Sequence, residues 1–182
     1  DKAAEHLARM VRVKTVSSRD SAAVDEGEFE RFRALLAELY PTVTKNCPPE
    51  RIGPSGILYR IKGKSADAPS VLMAHYDVVP PGDEDAWERP PFCGETDEHG
   101  VLWGRGTLDT KGTHCGILEA AETLLAGGFV PAHDVYLSFS GDEEIMGESA
   151  PAIVEELRRR GVHPAFVLDE GGAVVEGAFP GV

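Results

Sequence analysis

Three apolar segments of this chain each run directly into a cluster of acid or imidazole side chains. Val71-Leu72-Met73-Ala74 leads into His75-Tyr76-Asp77. Val135-Tyr136-Leu137-Ser138-Phe139 leads towards Asp142-Glu143-Glu144, and Phe166-Val167-Leu168 into Asp169-Glu170. Short apolar runs bounded by turn residues read as strands buried on both faces. Helical patterns lie between and before them, over 2–14, 25–39, 108–127 and 149–160, with Ile117, Leu118, Ala121, Leu124 and Leu125 marking one face of the third. Strands alternating with helices in this way predict an α/β fold with a largely parallel sheet. Residues 80–100 carry Pro, Gly and acids with isolated aromatics and read as a long loop, a length more often functional than idle.

In an open α/β sheet, ligands bind outside the carboxyl ends of the strands, so three segments deliver their polar residues to one edge. A fourth, Gly104-Arg105-Gly106-Thr107-Leu108-Asp109, brings Asp109 to the start of a helix. The partner expected there is a cation. The 182 residues hold 31 Asp and Glu against 18 Lys and Arg, a formal charge of −13, which argues against nucleic acid or an anionic membrane surface. No apolar run reaches the length of a membrane-spanning helix. Cys47, Cys93 and Cys115 are odd in number and lack C-x-x-C spacing, so they read as free thiols of a reducing, cytoplasmic compartment.

Each residue also has a plainer reading. A histidine at a strand end is by default structural, but Asp77 lies two residues on and points to the same side. A carboxylate there can take the spare imidazole N–H and leave the other nitrogen for a metal; a His–Asp hydrogen bond with no metal is the alternative. Adjacent glutamates are usually acidic surface. Directly after an apolar strand, Glu143 and Glu144 can divide into a metal ligand and a proton acceptor, with Asp142 a third carboxylate at the same edge. Holding all of these ionised together favours a cation among them. Asp109 could be a helix N-cap and Asp169 a loop residue. Gly104-x-Gly106-x-x-Asp109 lacks the third glycine and the preceding strand of a dinucleotide-binding turn.

His75-x-Asp77, Gly104-Arg105-Gly106-x-x-Asp109-x-Lys111-Gly112, Glu143-Glu144 and Asp169 stand in the order seen in the co-catalytic dizinc peptidases. The chain resembles that family, which includes aminoacylase, carboxypeptidase S, glutamate carboxypeptidase and succinyl-diaminopimelate desuccinylase. The text around Met73–Pro80, Trp87, Pro90-Pro91-Phe92 and Leu102–Gly106 is most similar to the carboxypeptidase S branch. The resemblance implies a three-layer α/β/α domain with a central mixed, largely parallel sheet. It implies two Zn2+, with Co2+ or Mn2+ as alternatives. His75 and Asp169 would hold one ion, Asp109 would bridge both, and Glu144 would hold the second. Glu143 would be the general base towards a zinc-bridged water, Asp77 would orient His75, and the Asp109–Thr110 peptide would be cis. The implied reaction is amide hydrolysis of a short peptide or an N-acyl amino acid, with neither nucleic acid nor membrane as partner.

The family also uses a second histidine late in the chain and a lid domain that mediates homodimerisation. Residues 1–182 are therefore expected to be the N-terminal part of the catalytic domain, inactive or nearly so alone. Two other readings compete. One is a non-catalytic metal-binding or interaction module. The other is a two-metal phosphoesterase, disfavoured because no basic cluster near the motifs would grip phosphate. Trp87, Phe92 and Trp103 are expected either to pin the long loop or to line an entrance. Lys111 and Arg105 would pair with the acidic cluster or stay solvated, and the remaining histidines are expected to be structural or superficial.

Overall fold

The computed structural model describes residues 1–171. Three helices come first: α1 (Lys2–Val11), α2 (Glu26–Leu39) and α3 (Pro41–Asn46). Asp1 and Asp25 cap α1 and α2, each accepting a hydrogen bond from the amide two residues on. α2 stops at Leu39, just short of Pro41, which itself opens α3 at its first position, where no N–H is needed.

Strands β1 (Glu50–Ile52), β2 (Gly56–Ile61) and β3 (Ser65–His75) follow, then the short pair β4 (Glu95–Thr96) and β5 (Leu102–Trp103) inside the long loop. Helix α4 (Lys111–Ala126), β6 (His133–Ser140), α5 (Ser149–Arg159) and β7 (Phe166–Leu168) complete the described chain. Among the described residues the main sheet has the order β1-β2-β6-β3-β7. β6, β3 and β7 are parallel, while β1 and β2 form an antiparallel arm at one edge. The sheet is thus mixed, with a parallel centre, as the resemblance implies.

The helices cover both faces. On one, Met10, Phe32, Leu36 and Leu118 pack with Tyr76 and Phe139. On the other, Ile153 and Leu157 of α5 pack on Leu58, Val71 and Tyr136. Each large side chain buried in this way contributes about 1.5–3 kcal/mol. The crossovers β3–α4–β6 and β6–α5–β7 return the chain to parallel strands, so all three parallel strands end at one edge. The ladder aligns Leu72 with both Leu137 and Leu168, and His75 with Ser140. That register sets His75, the turn after Ser140 and the turn after Leu168 side by side. No helix is long and apolar enough to cross a membrane among the described residues.

The long loop is braced from within by its tryptophans. The Trp87 indole donates to the Pro81 carbonyl at 3.0 Å and the Trp103 indole to Asp97 at 2.9 Å. Arg105 lies over the Trp87 ring rather than in the acidic cluster. Trp87 and Trp103 thus brace the loop internally, while Arg12 beside the end of α1 fastens it by donating to the Cys93 and Gly94 carbonyls at 3.0 and 2.8 Å.

Candidate metal centre

His75 is the last residue of β3 and is 1% exposed. Its Nδ1–H donates to the Asp77 backbone carbonyl at 3.0 Å, with the Asp77 carboxylate 3.3 Å away. A backbone carbonyl can only accept, so the proton stays on Nδ1 and Nε2 faces the site. Nε2 is met by Asp109 at 2.9 Å, Glu170 at 3.6 Å and Glu143 at 3.8 Å. One potential ligand atom each from His75, Asp109 and Glu170 lies within 4.8 Å of the others.

Asp77 has a second task that its sequence position does not reveal. It is fully buried, and its two carboxylate oxygens accept the backbone amides of Glu143 at 3.0 Å and Glu144 at 3.1 Å. One residue therefore meets His75, through its backbone carbonyl with its carboxylate alongside, and anchors the turn that presents both glutamates. That turn is a 3-10 segment, Glu143–Ile145, ending at Met146 in the left-handed region. Asp142 points elsewhere. Its carboxylate accepts the Ser149 hydroxyl at 2.8 Å and the Ser149 amide at 3.2 Å, so it fastens the turn to α5 and does not join the metal-facing carboxylates as expected.

The remaining predicted residues divide. Glu143 is exposed, and Glu144 is half-buried. Burial first, then the charge of Asp109, holds the Glu144 carboxyl above the usual carboxylate range. Asp109 precedes α4, and its peptide bond to Thr110 is cis, as the resemblance implies. Asp169 is not in the cluster: it is exposed, and its carboxylate accepts the Glu170 amide at 2.9 Å. Glu170, which the sequence reading did not select, reaches His75 instead. β7 stops pairing at Leu168, so either acid that follows can be delivered to the edge. The visible signal was the Asp169-Glu170 pair itself.

The donor set is one imidazole and several carboxylates, suited to Zn2+, Co2+ or Mn2+. Among the described residues no Lys or Arg pairs with Asp109, Glu143, Glu144 or Glu170, and His75 is the cation that Asp109, Glu143 and Glu170 meet. Burial opposes the imidazolium, but the Asp77 carboxylate and then Asp109 outweigh it and hold the His75 pKa up at about 9. A proton and a metal ion compete for the Nε2 lone pair. Apparent Zn2+ affinity is therefore expected to rise about tenfold per pH unit towards that pKa and to level off above it. Calorimetry across the range, with the proton released per ion, checks this. In the metal-free chain the folded pKa exceeds the ordinary 6.5. The stabilisation from His75 is complete below pH 6.5 and is lost as pH rises through about 9.

Away from the site, His114 is buried between the Phe32 and Phe139 rings. Burial, then Lys111, lowers its pKa to about 3, so it is a neutral core residue as expected. Cys47, Cys93 and Cys115 are free thiols.

An open α/β sheet gathers imidazole and carboxylates at its carboxyl edge, a donor set of the kind that can hold a divalent ion. The pattern of peptidase family M20/M25/M40 matches residues 71–181, and the chain belongs to that family. It is 38% identical to the N-fatty-acyl-amino acid synthase/hydrolase PM20D1 of Xenopus tropicalis, over 98% of this chain and 35% of that protein. It is 36% identical to the probable carboxypeptidase S-like 2 of Dictyostelium discoideum, over 98% of this chain and 36% of that protein. Carboxypeptidase S of Saccharomyces cerevisiae is 33% identical over 94% of this chain and 32% of its own length. The chain thus spans about a third of the length of these relatives. The crystal structure of the M20 family metallo-carboxypeptidase Sso-CP2 from Sulfolobus solfataricus superposes with a TM-score of 0.74 at 22% identity, covering 96% of this chain and 38% of that one. At that identity the superposition shows the fold.

Proposed function

We propose that this protein is the metal-bearing part of a metal-dependent amide hydrolase acting on peptides or N-acyl amino acids. The observation that carries the reading is the His75 Nε2 atom, fixed from behind by Asp77 and faced by Asp109, Glu143 and Glu170. Family membership supports it, as do relatives named for carboxypeptidase and N-acyl-amino-acid chemistry. In both chemistries an amide bond to an amino acid is broken.

His75, Asp109 and a carboxylate of the Asp169-Glu170 pair would hold one divalent ion, with Asp109 shared and Glu144 serving a second. Zinc in such a centre polarises a carbonyl and makes water acidic near neutral pH. Glu143 faces the cluster without being needed as a ligand, and it takes the general-base role. It accepts a proton as water oxygen adds to the amide carbonyl carbon, then returns that proton to the amine nitrogen as the C–N bond breaks. A carboxylic acid and an amine result.

Turnover of N-acyl amino acids and dipeptides by the whole hydrolase of which this would be the metal-bearing part, abolished by chelation and restored by Zn2+, tests the activity; turnover indifferent to chelators would overturn it. The choice between the last two acids has its own test. Glu170→Gln is expected to weaken Zn2+ binding by at least about tenfold while Asp169→Asn has a smaller effect. The reverse order would return the ligand role to Asp169.

A further inference from the structure

Lys111 has no solvent exposure, and among the described residues its ammonium pairs with no acid. Its Nζ donates to the backbone carbonyls of Met10 at 3.1 Å and Val13 at 2.7 Å, where α1 ends, and sits 5.1 Å from the Phe32 ring centroid. Neither solvation nor pairing with the acidic cluster, the two outcomes the sequence suggested, is what the fold does with it. Burying an ammonium is costly, and replacing a buried charge by an apolar side chain of similar volume is often neutral or stabilising. Stability alone therefore gives little reason for a lysine here.

The surroundings supply one. The glycine loop 104–110 folds over the Lys111 stem. Gly106 has φ +88°, and a Cβ there would meet Val78 Cγ1 at 2.7 Å and Lys111 Cδ at 3.3 Å. The Lys111 amide donates to the Gly106 carbonyl at 2.9 Å, closing the loop on itself. Asp109 stands two residues before this clamp. Its side chain is 68% exposed, and its hydrogen-bond partner among the described residues is His75 Nε2. Little but the backbone then decides where that carboxylate sits, and Lys111 ties this backbone to α1, about a hundred residues earlier in the chain.

We propose that Lys111 is a positioning residue of the metal centre: by clamping the end of α1 it holds the 104–110 loop so that Asp109 stays opposite His75. The proposal rests on the metal-binding reading above, and the experiment separates the two. Co2+ is titrated into the wild-type chain, Lys111→Met and Leu118→Ala, following visible absorption, with unfolding midpoints measured in parallel. Met keeps the stem and removes the charge, whereas Leu118→Ala loosens the core of α4 without touching the clamp.

The expected result is a tenfold or greater loss of Co2+ affinity in Lys111→Met and an altered absorption band. Its unfolding midpoint should fall less than that of Leu118→Ala, which should bind Co2+ as the wild type does. Unchanged affinity in Lys111→Met overturns the proposal. So does an equal loss in both variants, which would mean general loosening. Absence of Co2+ binding by the wild type overturns the metal reading and this proposal with it. Should Lys111→Met fail to fold, Lys111→Gln, which keeps a donor, is expected to give an intermediate loss, and wild-type affinity there is equally fatal.

Discussion

Asp77→Ala is expected to destabilise the protein by about 3–5 kcal/mol, the range for removing one partner of a buried, hydrogen-bonded charge. Three groups depend on this fully buried carboxylate: the Glu143 amide, the Glu144 amide and the His75 imidazole. Truncation to alanine leaves two amides without their acceptor and a buried imidazole without its charged neighbour. Asp77→Asn keeps one oxygen and is expected to cost roughly half as much. Urea unfolding at pH 7 reads both, with the slope unchanged if the effect lies in the folded state. A cost below about 1 kcal/mol for Asp77→Ala would mean that neighbouring groups replace it.

The second large effect is catalytic. In the whole hydrolase, Glu143→Gln is expected to slow amide hydrolysis by about 10²–10⁴-fold with metal content unchanged, because glutamine keeps the shape and hydrogen-bonding reach but accepts no proton. Glu144→Gln is expected to lose metal as well as rate. The geometry separates the two: Glu143 is exposed and faces His75, whereas Glu144 is half-buried among Asp109, Asp77 and Glu143. Metal analysis of purified variants beside their rates distinguishes these roles. Loss of metal from Glu143→Gln with retention in Glu144→Gln would show that they are exchanged.

The parallel centre of the sheet was legible because its strands are apolar on both faces, and a run such as Val71–Ala74 has no helical stripe. The same logic stopped short where burial is one-sided or absent. β3 extends back to Ser65 through Asp67 and Pro69, and β1 is a mostly exposed edge, so neither carries an apolar pattern. α3 was hidden by Pro41, which stops one helix and starts another with equal ease.

In the site, His75, Asp109 and the glutamate pair stood out because each directly follows or precedes a regular element. Side-chain direction was not legible. Asp142 and Glu143 are neighbours, yet one turns to Ser149 and the other to His75. Asp169 and Glu170 differ in the same way, because the path of the chain after Leu168 sets which carboxylate turns inward. Lys111 was read as surface or site charge because sequence does not show that the end of α1 lies against it.

The central claim is that strand ends distant in sequence converge on a divalent ion, and Zn2+ titration of this chain at pH 8, against its His75→Ala variant, tests it most directly. The predicted result is Zn2+ binding with proton release in the wild-type chain, and loss of at least about a hundredfold in affinity in a variant that still unfolds cooperatively. Binding of equal strength in a folded His75→Ala variant, or no binding by the wild-type chain, would contradict it.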